Sequence, residues 1–522
     1  MPDPAWKVRE INGETVKNFD SKKCTRKAFL KAAAAGGACL ALLGLGGCEK
    51  ISGTREIGLR TRPEQAWIFR SRPDLRPPSV EVGTLSRDAN PGSIFVASKN
   101  GPGEDHPAQD GPMILDDEGQ PVWLRPVGRE EEDAMDFKVQ RYRGEPVLTW
   151  WEGVHNGYGQ GEYLILDSSY REVARVRAGN GYDGDHHEFL ITPEDTALIT
   201  IYHKVPMNLS RVGGSRDGIA VDGIFQEIDI ETGEVLFEWH SLEHVGVDES
   251  YGKLPEKTGG SYDYFHINSI DVDSDGNLLV SARMTHAVYK IDRASGEIIW
   301  RLGGQRSDFE IGEGARFAYQ HDARRQPDDT VTLFDNRGSN MNEQSRGIRL
   351  ELDEAAMTAT LVQEYTRPDE TFGIYQGNVQ TLPNGNVFVG WGSAPYLSEL
   401  DSDGKLLFDA HFPPEVESYR AFRFSWSGQP GEDPALAAEL GPGDDELTVY
   451  ASWNGATEVA TWEVLTGPAP DELKPVGAAP RKGFETAIIV TTTEPYVGVR
   501  AVDGSGRLLG AARPIKTEDP SP

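Results

Sequence analysis

The chain holds only 11 histidines, and three of them open equivalent strand-like runs. These are His187 in HHEFLITPEDTALIT, His266 in HINSIDVDSDGNLLVSAR and His321 in HDARRQPDDTVTLFDN. Imidazole can act as nucleophile, general base or metal ligand near neutral pH. Arg283 closes the second strand of the middle run, and its guanidinium is a planar anion clamp that keeps its charge. The matching slot holds Glu152, Tyr202 and Asn336 in neighbouring repeats and Gly392 in the last. The expected ring is therefore His187, His266, His321, Arg283, Tyr202, Asn336 and Glu152. Phe137 and Gly377 fill the first-strand slots of two other repeats, so the far half of the pocket is expected to be plain.

Three histidines would suit zinc, but a catalytic dication is poorly placed beside a guanidinium. Glu188 and Asp322 directly follow their histidines, and in a strand they would point the other way. No metal and no cofactor is expected. Histidines with an arginine fit transfer of an anionic group, which Arg283 and flanking imidazoles clamp while one imidazole attacks. The plainer alternative is a set of hydrogen-bonded histidines that plug a channel.

The elements that must position these residues are repeats. Late hairpins recur as ILDDEGQPVWLRP from Ile114, ILDSSYREVARVRA from Ile165, EIDIETGEVLFEWHS from Glu227, KIDRASGEIIWRLGG from Lys290, LELDEAAMTATLVQEY from Leu350 and ELDSDGKLLFDAHF from Glu399. Apolar residues alternate between short Asp/Gly/Thr turns, the signature of strands and hairpins. Four short strands per unit, recurring roughly every 40–60 residues, is a propeller pattern. The expectation is an all-β, six-bladed β-propeller over 77–417, whose axis gathers equivalent positions. A β-solenoid or two sandwiches fit the regular repeat less well.

After the repeats comes a Pro/Gly-rich stretch, expected as a linker over 418–445. Alternating strands follow over 446–515 and read as an immunoglobulin- or fibronectin-like β-sandwich, with a loose tail at 516–522. At the other end, TRKAFLK and the apolar run Ala32–Leu45 lead into Leu45-Gly46-Gly47-Cys48. This run is too short to span a bilayer and ends in a lipobox, so 1–48 reads as an export signal with Cys48 as the lipidation site. TRKAFLK resembles a twin-arginine signal with Lys27 in place of the second arginine, which leaves the export route open. Residues 49–76 are expected to tether the protein to the outer side of the membrane or to the periplasmic envelope.

All three cysteines lie in this leader, so the body has none for a disulfide or a thiolate site. About 470 remaining residues suffice for a large apolar core. A net charge of −31 argues against nucleic acid as a partner and confines any anion site to a local cationic pocket.

The segments GPMILDDEGQPVW, DGDHHEFLITPEDTALIT, FHINSIDVDSDGNLLVSARMTHAVYKIDRASGEIIWRLGG, YQHDARRQPDDTVTLFDN, QGNVQTLPNGNVFVGWG, YRAFRFSWSGQP and SWNGATEVATWEV together resemble the arylsulfotransferase family, in its fungal and actinobacterial branch. The resemblance covers most of the body. It implies a six-bladed propeller that moves a sulfuryl group from an aryl sulfate to a phenol by ping-pong through a sulfated histidine, with no nucleotide donor. It implies that His321 of QHDA is the nucleophile, that His266 of HINS and Arg283 of SAR hold the sulfuryl oxygens, and that His187 of HHEF is the remaining axial histidine. Better-studied bacterial members carry their sandwich at the N-terminus and a disulfide, whereas this chain carries its sandwich at the C-terminus and no disulfide. Two other readings stay open: a metal-dependent lyase or hydrolase, and a non-catalytic binding or envelope-structural propeller.

Overall fold

A computed structural model describes residues 65–517 except 102–105, 129–131, 156, 257–258, 339–342 and 444. The leader and Cys48 lie outside the described residues. The fold is all-β. Among the described residues, six mainly antiparallel sheets follow one another along the chain, and each has a strand at one edge that lies at or next to residues of the candidate site. In sheets two to six that strand is Glu132–Tyr142, Asp185–Ile191, Ile267–Val272, His321–Arg325 and Asn378–Thr381. In the first sheet it is Val416–Phe424, which returns from far along the chain to pair with Ser93–Asn100.

The six sheets are glued by six apolar clusters, one between each consecutive pair. Phe95, Trp123, Phe137 and Trp150 fill the space between the first and second sheets. Trp151, Tyr163, Phe189 and Ile224 fill the next, and Phe225, Trp239, Ile267 and Val280 the third. Trp300 meets Leu333, and Phe334 meets Trp391. Phe388 and Phe408 of the sixth sheet then pack against Val96 and Met113 of the first. Neighbours such as Trp150 and Trp151 serve opposite clusters because side chains alternate across a strand. Both faces of each sheet are therefore covered, and central strands such as Leu278–Ala282 and Val331–Asp335 read as near-continuous apolar runs.

Two expected boundaries shift. The presumed linker 418–445 holds the strand Val416–Phe424 and a second strand, Ala435–Leu440. SYRAFRF hides its strand because its cations, Arg420 and Arg423, face buried carboxylates rather than solvent. Part of the presumed tether is packed: Phe69 and Leu75 are buried with Phe484, and the Ser71 amide donates to Glu485 at 2.6 Å. Beyond residue 434, sheets centred on Glu446–Ser452 and Thr461–Gly467 share one core that includes Val449, Trp462 and Val499. Asn454 ties this region to the first sheet, giving and taking a hydrogen bond with the backbone of Leu124 at 2.9 and 3.0 Å.

Candidate active site

The register of these edge strands breaks in five of the six sheets. Residues 419–420, 136–137, 186–188, 268 and 322–323 have no regular partner. Such bulges re-aim side chains, and they occur often next to active sites. Backbone strain gathers here too. His266, Asp136, Asp322, Tyr319 and Gln376 have φ between 56° and 64°, a region that non-glycine residues rarely adopt.

The bulges bring the histidines together. The rings of His187 and His266 lie 4.9 Å apart, and both pack against Tyr202, at 5.2 and 5.5 Å. The Tyr202 hydroxyl donates to the carbonyl of Ile267 at 2.5 Å. Arg283 places its guanidinium 4.9 Å from the centre of the Tyr319 ring and donates to the carbonyl of Ile374 at 3.2 Å. The Tyr319 carbonyl in turn lies 3.1 Å from Nδ1 of His321.

Each of the three rings is oriented through Nδ1. Asp185 takes that side of His187, and Asp263 takes that of His266 at 2.5 Å. His321 has a neutral partner, Oδ1 of Asn336 at 2.8 Å. The Asn336 amide nitrogen faces two carbonyls, Gly373 and Gln376, at 2.5 and 2.9 Å, so its oxygen must face the imidazole. The Gln376 amide meets Nε2 of His321 at 3.3 Å, and an amide N–H can only donate. His321 is therefore the Nδ1–H tautomer, with its lone pair on Nε2.

Burial disfavours the charged form of four imidazoles of the site. It lowers His187, His186 and His155 to about 4, with help from neighbouring imidazoles and, for His187, against the opposing pull of Asp185. Burial, with the nearby charge of Arg283, holds His321 well below the usual range. Burial also holds Tyr202 well above its ordinary value, so it stays a donor.

Six of the seven expected ring residues thus converge, and Glu152 does not. It accepts from the Trp150 indole at 3.1 Å, on the face of its strand opposite Trp151. The residue of that strand that arrives is His155, edge-to-face with His186 at 4.6 Å. Alternation places 151 and 155 on one face and 152 on the other, so the choice of slot was one residue out of phase. Phe137 is likewise buried between the first two sheets.

The far half of the pocket is not plain. A buried Lys99–Glu417 ion pair lies there, and its cation acts on His155 and His186. Tyr419 adds a hydroxyl 3.2 Å from the His187 carbonyl. Behind the histidines Glu188 and Asp322 turn the other way, as alternation requires, into ion pairs with Lys138, Arg324 and Arg420. Asp185, His186 and His187 offer three ligand atoms within 4.8 Å of one another, a set that a divalent ion could use.

Sequence comparison bears on what this site does. The profile of the arylsulfotransferase (ASST) family matches residues 138–413, just over half of the chain. A search of curated proteins finds no match. Among solved structures, a protein of unknown function from Bacteroides caccae is 15% identical, with 64% of this chain and 98% of that one covered at a TM-score of 0.39. Virginiamycin B lyase from Staphylococcus aureus is 12% identical, with 72% and 97% covered at 0.34. The Dos1 propeller is 12% identical, with 65% and 70% covered at 0.29. At such scores these likenesses carry no argument about chemistry.

Proposed function

The chain belongs to the arylsulfotransferase family and is an enzyme of that type, and from that premise we propose that it passes a sulfuryl group from an aryl sulfate to a phenol through His321. The six sheets then serve as blades of a closed propeller, and the region after residue 434 as a β-sandwich. The observation that carries the mechanism is the fixed tautomer of His321, which leaves Nε2 with a lone pair.

In the first half-reaction Nε2 of His321 forms an N–S bond while the S–O bond to the aryl group breaks. The departing oxygen keeps the electron pair. Arg283 and His266 bind the sulfuryl oxygens and favour the charge that builds there. In the second half-reaction an acceptor phenol attacks sulfur, its proton passes to the imidazole of His187, and Nε2 regains its lone pair. That proton then serves the next departing phenolate. His187 is suited to this role because Asp185 supports its charged form, and the bound anion supports it further. His321 has an amide partner instead. A neutral partner does little to stabilise a positively charged sulfated ring, so the N–S bond stays reactive toward the acceptor.

The scheme needs no nucleotide and routes no step through a metal. The Asp185–His186–His187 group supports the rival metal-dependent reading. Incubating purified protein with a chromogenic aryl sulfate and a phenol, with and without a chelator, separates the two. Phenol-dependent release that survives chelation supports transfer. Release only with added metal, or none at all, contradicts it. We place the enzyme outside the cytoplasmic membrane, held by a lipid on Cys48, on the strength of the leader and its LGGC box.

A further inference from the structure

The strand Val416–Phe424 lies beyond the segment that matches the family, yet it reaches the axis. Arg420 on this strand is 1% exposed. Its Nη1 lies 2.9 Å from Asp136 Oδ1 and 3.3 Å from both oxygens of Glu188. Its Nη2 donates to the carbonyl of Asn268 at 2.9 Å, and Nε sits 3.5 Å from Asp322. One guanidinium thus joins the second, third, fourth and fifth sheets to the first.

Its partners are the chain neighbours of the histidines. Glu188 follows His187, Asp322 follows His321, and Asn268 lies two residues after His266. Side chains alternate along a strand, so a group that grips Glu188 and Asp322 on one side fixes the aim of His187 and His321 on the other, while the bond to the Asn268 carbonyl holds the backbone two residues from His266. The plug is balanced: Asp136, Glu188 and Asp322 face Lys138, Arg324 and Arg420. Lysine in place of Arg420 would keep the charge but present a point rather than a fork, and could not span four sheets.

We propose that Arg420 is a positioning residue for transfer, a central tie that, with Arg324 beside it, sets His187, His266 and His321 relative to one another. Only the kinetic arm of the test rests on the transfer reading above.

Arg423, three residues along the same strand, is the matched control. It too is 1% exposed, paired with Asp117 and Glu399 above the Phe388 and Phe408 rings. Arg420→Lys and Arg423→Lys should both lower the Tm. At a temperature where both stay folded, Arg420→Lys should lose roughly 10–100-fold in kcat, since a 1 Å misplacement can cost that much. Its KM should change by less than about threefold, and Arg423→Lys should keep kcat near wild type. If Arg420→Lys fails to fold, Arg420→Met with Asp136→Asn leaves two acids against two bases and should fold yet remain slow. Imidazole ¹⁵N spectra give an arm independent of activity: the signals of the three histidines should shift in Arg420 variants and stay put in Arg423→Lys. Unmoved signals, or an Arg420 loss no larger than that of Arg423, would overturn the proposal. A wild-type protein that transfers nothing would sink the transfer reading while the spectra still decide this one.

Discussion

Nδ1 of His321 and Oδ1 of Asn336 lie 2.8 Å apart, and the other end of the Asn336 amide is held by two carbonyls. The pair fixes which nitrogen of His321 carries the proton. Asn336→Leu removes that hold and should lower transfer by about 10²-fold with little change in aryl sulfate KM. Kinetics on the folded variant check this, and an unchanged kcat would mean that the tautomer is set elsewhere.

Acidification should act on both activity and stability. In the folded protein His155, His186 and His187 stay neutral down to about pH 4, because burial disfavours the charged ring. In the unfolded chain histidines take up protons near pH 6.5. Between those values the unfolded state binds more protons, so stability falls as pH drops from about 6.5 toward 4 and is flat above. Thermal unfolding followed across that range should show this loss. The chemical step should hold to near pH 5 and then fall as the pocket histidines protonate. A rate that rises on acidification would mean that delivery of a proton to the departing phenolate, and not attack by neutral His321, limits the reaction.

Arg283→Lys keeps the charge and loses the fork, and should cost a factor on the order of ten to a thousand in transfer. Glu152→Gln, on the wrong face of its strand, should leave transfer within about threefold, as for a substitution away from the chemistry. Parallel assays of the two variants test the assignment of faces, and the reverse ranking would refute it.

The repeat phase made the site legible, because His187, His266 and His321 occupy matching positions in their sheets. Asn336 and Tyr202 followed from the same alignment. What stayed hidden depends on bulges and on distant chain. Three unpaired residues at 186–188 let His186 join the pocket beside His187, and no period-two pattern announces that. Asp185 and Asp263, which orient two of the histidines, sit just upstream of them and look like ordinary turn acids in the sequence. Lys99, Glu417, Tyr419 and Arg420 come from strands that pair across more than 300 residues, so no local reading places them together. The SYRAFRF segment resembled a linker because a buried strand full of charges lacks an apolar stripe. Its signal was there in the two arginines spaced three apart with aromatic neighbours, but only the carboxylates opposite give it meaning.

The leader makes its own claim. Cys48→Ala should shift the protein from the membrane fraction to the soluble fraction of cells that export it. A wild-type protein already soluble, and beginning at some residue other than Cys48, would show that no lipid is attached there.

The central claim is a sulfated His321, and intact-protein mass measurement tests it most directly. Incubation with an aryl sulfate and no acceptor should add one sulfuryl group, found on His321 after digestion, labile in acid and lost on adding a phenol. His321→Asn should take up none, with transfer reduced by roughly three or more orders of magnitude, as for loss of a catalytic nucleophile. An adduct on His187 or His266 with normal transfer in His321→Asn, or phenol-dependent turnover without any adduct, would contradict the account.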